Sequence, residues 1–388
     1  MTTARLACVA ILALALAGCN RAAQGNTNSA YAYVTNGQSD SVSVIDLAEL
    51  KLIRTVTVGK NPSGVAANPV RNEIYVVNTG SDNVSVIDTM SNTVVATVGV
   101  HHAPYFISVS QDGRRAYVAN SGSANVSVLD LVRHAVLTNI AVGGAPGLAR
   151  VSPDGRTVVV SNRGDNTVSL IDAGALKVRA TLPVCRHPED VAILPDSGKA
   201  FVACTGSAQV AAIDLKIDKV LALLDVGKTP IHLTLKPDGG ELFVSNFDSA
   251  TVSVIETTAN EVGGSYLIGT QPVQGVVTED NALLYESNFG ADSVSVFSIN
   301  DGKLLASIPV GDRPEALALA PNQDFLLVAD TESGDVAVVR TARLPRGNKI
   351  STTEAILKGQ NPSKAQALFT MIPVGRQPNA IAIKGFSR

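Results

Sequence analysis

Three ladders of residues, each advancing by 42 positions, predict an all-β chain folded as an eight-bladed β-propeller of four-stranded antiparallel blades. The first ladder is Tyr33-Val34-Thr35-Asn36, repeated at Tyr75, Tyr117, Val159, Phe201, Phe243, Tyr285 and Leu327. The second is a valine or isoleucine, usually a glycine, two variable residues and a proline. It ends at Pro62, Pro104, Pro146, Pro188, Pro230, Pro272 and Pro314, and returns at Pro378 after a gap of 64. The third is Val42-Ser43-Val44-Ile45-Asp46 and its successors, the last being Val336-Ala337-Val338-Val339-Arg340.

Each unit then divides into four short runs. One follows the proline (Val65 to Asn68), one is Tyr-Val-x-Asn, one is Val-Ser-Val-Ile-Asp, and one resembles Thr93 to Val98. All are rich in valine and isoleucine, and turn signals such as Pro153-Asp154-Gly155 separate them. Apolar residues alternate or run together rather than recurring at three and four, which excludes a helical solenoid. Four antiparallel strands per unit match a propeller blade.

An open solenoid of strands is the alternative, and the order of the runs argues for a ring. The repeats begin at a second strand (31–36) and end just after a first strand (379–384). The last segment supplies the innermost strand of the blade begun at residue 31, so pairing of the N- and C-terminal strands leaves no raw edge. Seven complete units and one composite unit make eight blades in a single domain, 31–388. Blade 1 is taken here as the unit starting at Pro62, and the composite blade is the eighth.

These repeats resemble the YVTN family of β-propellers, named for motifs such as Tyr33-Val34-Thr35-Asn36. The resemblance implies the fold; the family includes surface-layer and periplasmic proteins of differing roles. Blade number also makes the chain similar to the haem-carrying propeller domain of periplasmic nitrite reductases.

Ahead of the repeats, Arg5 precedes an apolar run from Leu6 to Ala17, followed by Gly18 and Cys19. This is an export signal over residues 1–18, too short for a membrane span. It resembles the bacterial lipobox, which implies cleavage before Cys19, acylation of its sulfur and attachment to a membrane. Asn20 then implies outer-membrane sorting, with the protein on the periplasmic side of the outer membrane or at the cell surface. Residues 19–30 are small and polar, as a tether should be. A net charge of −3 gives no support to nucleic-acid binding. A closed ring covers its own sheet edges, so a monomer is expected.

Departures from the repeat locate the candidate site. The valine-to-proline loops should surround one mouth of the axial channel, where propellers bind ligands. In blades 2 to 5 these loops and the strands after them carry His101, His102, Tyr105, Arg150, Arg186, His187, Glu189, Asp190 and His232, and further round come Gln274 and Glu315. Imidazoles and carboxylates suit a divalent metal, with His187, Asp190 and His232 as candidate ligands. The arginines suit an acidic cofactor, including a haem. The competing reading is a solvated polar loop surface. No nucleophile elbow or phosphate-binding glycine loop occurs, so no catalytic residue is assigned.

Cys185 replaces the loop glycine and Cys204 the motif asparagine of the same blade. The paired replacement predicts a disulfide that staples the loop of His187, Glu189 and Asp190. A 22-residue insertion, within about 341–367, holds Arg343, Arg346, Lys349, Lys358 and Lys364 against Glu354, as a basic surface loop or a docking loop. Three functions remain open: a binding or scaffold module for a partner protein or small ligand, a metal- or haem-type cofactor protein linked to redox chemistry, and a lactonase-type hydrolase using a divalent cation held by Glu189, Asp190 and Glu315.

Overall fold

The computed structural model describes residues 30–341 and 367–386. Blade 1 runs outward from the axis as Pro62–Ala67, Glu73–Asn78, Asn83–Asp88 and Thr93–Gly99. Six more blades repeat that order, and the eighth places Pro378–Gly385 inside Ala30–Asn36, Ser41–Asp46 and Lys51–Thr57. In this composite blade Tyr33 lies opposite Ala382 and Val34 opposite Ile381. Every inner strand packs on the next, including the last on the first. Lys384 fastens that final joint by donating from Nζ to the Asn68 carbonyl of blade 1 at 2.7 Å.

The sequence pattern follows from where each strand lies. Second and third strands are sandwiched between neighbouring blades and carry unbroken runs of buried residues, whereas an outer strand such as Lys177–Pro183 alternates exposed and half-buried residues. Tyr33, Tyr75, Tyr117, Phe201, Phe243 and Tyr285, the aromatic members of the first ladder, are fully buried.

The recurring polar letters have mechanical jobs. Asn162 donates from Nδ2 to the Thr167 hydroxyl at 3.0 Å and the Ser169 hydroxyl at 2.9 Å, clamping the turn between second and third strands. Asn78, Asn120 and Asn246 do the same with residues five and seven positions on. The loop glycine explains itself against this clamp: a Cβ on Gly59 would lie 2.7 Å from the side chain of Asn78. The aspartate ending the third strand accepts the next turn's amides, as Asp172 Oδ1 does from Gly174 and Ala175.

Blade 4 breaks the clamp twice at one contact. Cys185 and Cys204 replace the touching glycine and asparagine, and they form a disulfide with Cα atoms 5.7 Å apart. In blade 7 the asparagine becomes Asp330, facing Asp335 across the strands. Burial and their mutual hydrogen bond and repulsion raise Asp330, and burial raises Asp335.

Loops from outer strand to next inner strand share a face with the turns after Tyr-Val-x-Asn; we call it the proline face. The Pro-Asp-Gly turns lie on the opposite face. The signal segment, Cys19 and residues 342–366 of the basic insertion lie outside the described residues. Among the described residues no helix is long and apolar enough to cross a membrane.

Candidate functional site

Successive side chains of a strand point to opposite sides, and this divides the predicted residues into two groups. The first residue after each proline sits at the channel mouth on the proline face. Glu189 occupies that position in blade 4 and pairs with Arg163 at 3.2 Å, while Arg163 stacks over the Tyr105 ring with its guanidinium carbon 4.9 Å from the centroid. His187 stands beside them, with Nδ1 3.0 Å from the Thr205 hydroxyl and 3.7 Å from Glu189. Burial raises Glu189 above the usual carboxylate range, with Arg163 opposing. Glu315 is raised by burial too, although it accepts a hydrogen bond from Thr331 at 3.0 Å.

The second residue after each proline turns along the channel wall. Asp190, 5 % exposed, accepts the Leu233 amide of blade 5 at 2.9 Å and reaches Arg150 at 3.4 Å and His232 Nε2 at 3.8 Å. Gln274 makes the equivalent bridge, its Oε1 accepting the Leu317 amide at 3.3 Å. These side chains satisfy inner-strand amides that would otherwise face the axis unpaired. Burial lowers the pKa of His232, so the imidazole is neutral near pH 7.

The remaining predicted residues stay apart. His101 meets Asn125 at 3.0 Å and His102 meets Asp82 at 3.1 Å, both exposed in the loop of blade 2. Arg186 is exposed in its own loop. The four histidines expected together are therefore divided: three on the proline face and His232 within the channel. Among the described residues no group of three His, Cys, Asp or Glu side chains converges to hold a metal ion. His187, Asp190 and His232 do not form one, because His187 belongs to the mouth and the other two to the channel wall.

Two cavities flank these groups. One, of about 700 Å³, is the channel itself, lined by Arg150, His232, Thr234 and Gly275 and reaching the Pro-Asp-Gly turns of the opposite face. The other, of about 660 Å³, opens on the proline face between blades 5 and 8. Phe247 and Phe289 line it with ring centroids 6.4 Å apart, together with Arg313, Glu315 and Arg376. Arg313 stacks over Phe289 at 5.4 Å. Arg163, Phe247, Phe289, Arg313 and Arg376 were not among the residues expected from sequence. Their signal was available: Arg163, Phe247 and Phe289 each follow the motif asparagine, where blades 1, 4 and 7 have threonine.

Comparison with known proteins adds to this geometry. A family model for the cytochrome D1 heme domain matches residues 68–192. A model for a seven-bladed β-propeller lactonase matches residues 269–365. Among solved structures, a dihydro-heme d1 dehydrogenase, NirN, in complex with DHE superposes with a TM-score of 0.73 at 13 % identity, over 91 % of this chain and 74 % of that one. The likeness is one of fold. Hydrazine synthase of Kuenenia stuttgartiensis (TM-score 0.55, 20 % identity, 84 % and 96 % covered) and a protein of unknown function from Desulfotomaculum acetoxidans (0.61, 15 %, 80 % and 98 %) share it. No curated protein matches the sequence.

Proposed function

We propose that this protein is a binding module whose ligand seats at the proline-face mouth, and that the ligand is a flat, carboxylate-bearing cofactor of the haem d1 type. The observation that carries this reading is the cavity of about 660 Å³ that sets two neighbouring phenylalanine rings beside two arginines. Such a volume lies within the range of roughly 300–1,000 Å³ of small-molecule sites. Phe247 and Phe289 offer flat apolar surface to a macrocycle, and Arg313, which pairs with Glu332 at 2.7 Å, and Arg376, which donates to the Gln38 carbonyl, would turn to its carboxylates. The heme-domain match over 68–192 and the d1-type propeller neighbour support the same cofactor class. Bound there, a haem supplies one-electron chemistry at its iron. Phe247, Phe289, Arg313 and Arg376 are the residues that would hold it.

The lactonase-type alternative has a partial family match, but Glu189, Asp190 and Glu315 do not fit a shared cation. Glu189 is committed to Arg163 and Asp190 to the channel wall. A scaffold role toward a partner protein is compatible with the cofactor reading. Export, YVTN-type family membership and lipid anchoring at Cys19 on the periplasmic side of the outer membrane or at the cell surface belong to the same proposal.

Titration with iron protoporphyrin tests the reading. A saturable shift of the Soret band is expected, weakened about tenfold or more when Arg313 and Arg376 are both changed to alanine. An unshifted spectrum with folded protein, or equal affinity in the double variant, counts against it.

A further inference from the structure

Blade 6 departs from its sisters at two facing positions inside the interface with blade 5. Elsewhere an aliphatic side chain on the inner strand faces a valine on the second, as Val65 faces Val76 and Leu233 faces Val244. In blade 6 Gly275 faces Glu286. Glu286 is 0 % exposed, and neither carboxyl oxygen has a hydrogen-bond partner.

The two changes are one. A Cβ on Gly275 would lie 2.6 Å from Glu286 Oε2 and 2.6 Å from the Thr234 hydroxyl of blade 5. The carboxyl thus fills the space of the missing side chain and points at the inner strands. Gly275 and Thr234 line the channel cavity of about 700 Å³. Beyond them the wall continues as Thr234 Oγ1 to His232 Nδ1 at 3.2 Å, His232 to Asp190, and Asp190 to Arg150.

Charge decides what this wall accepts. Arg150 and Asp190 offset each other, and burial keeps His232 neutral near pH 7. Burial pushes Glu286 up to about 8. An ionised Glu286 leaves one negative charge without a counter-ion, which a proton or a bound cation must neutralise. A metal ion needs more ligands than converge here, whereas an ammonium brings three donors that a carboxylate and a hydroxyl can accept.

We propose that Glu286 and Thr234 form a proton-exchanging subsite for a primary ammonium group entering from the channel cavity. The carboxylic acid loses its proton to solvent as the ammonium forms its ion pair, so one cation enters and one proton leaves. This subsite is independent of the cofactor reading at the opposite mouth.

Calorimetric titration of the full chain with methylammonium chloride, at pH 7 in buffers of differing ionisation enthalpy, tests it. Release of about one proton per ligand is expected, with affinity rising about tenfold per pH unit until near pH 8. Glu286→Gln should abolish proton release and weaken binding about tenfold or more. The double variant Gly275→Val, Glu286→Val restores the pattern of the other seven blades and should fold without binding. Absence of binding to the wild type, binding without proton release, or undiminished binding in the double variant overturns the proposal.

Discussion

Asn162 ties the second strand of blade 3 to its third through two hydroxyls, at 3.0 and 2.9 Å. Truncation to alanine strands both hydroxyls, so Asn162→Ala should lose about 2 kcal/mol in urea unfolding. A loss below about 0.5 kcal/mol would show that the clamp is ornamental. Glu286 acts on stability in the opposite direction. Its folded-state pKa of about 8 exceeds the ordinary glutamate value of 4.5, so the native state holds a proton the unfolded chain releases. Its contribution is fully present below pH 4.5 and is lost as pH rises to about 8, by up to about 1.4 kcal/mol per pH unit. Glu286→Gln should flatten that part of the stability profile. The asparagine stood out as a repeated letter, but Glu286 hid in a motif copy because its meaning depends on Gly275, which only strand register sets opposite it.

At the scale of the blade, paired exceptions carry the information. Blade 4 swaps a glycine–asparagine contact for the Cys185–Cys204 disulfide, whose residues are 19 apart. Closing a loop of that size stabilises by roughly 3 kcal/mol in the chain-entropy picture. Reduction should therefore lower the urea midpoint. Cys185→Gly with Cys204→Asn should restore the clamp's donor but not its full partner set, because Ala211 stands where the asparagine-bearing blades have a serine. The disulfide was legible because both changes sit at repeat positions. The site was legible only in outline. Proline-to-strand loops pointed to the mouth at which we propose the ligand seats, but Glu189 and Asp190 are sequence neighbours that point to opposite sides of one strand. The aromatic and arginine lining comes from turns and from blades distant in sequence, and no spacing rule joins Phe247 to Arg376.

For the molecule as a whole, closure was readable because the first run of the repeat is a second strand and the last a first. Among the described residues, the pairing of Ala30–Asn36 with Pro378–Gly385 is the contact most remote along the chain. Removing residues from Pro378 onward should leave Ala30–Asn36 with an unpaired edge and blades 7 and 1 without their shared neighbour. Loss of a cooperative thermal transition is expected, and a folded, cooperative truncation would refute the ring. Trimming residues 20–28 should leave the transition unchanged.

Lys384 gives that closure a timing. Its buried ammonium is bound to the Asn68 carbonyl across a gap of more than three hundred residues, and burial lowers its pKa. Ribosomal synthesis delivers Asn68 more than three hundred residues before Lys384, so the strand Ala30–Asn36 must wait, open-edged, until Pro378–Gly385 has emerged. A factor that holds the nascent polypeptide extended until then would spare it from pairing with the wrong neighbour.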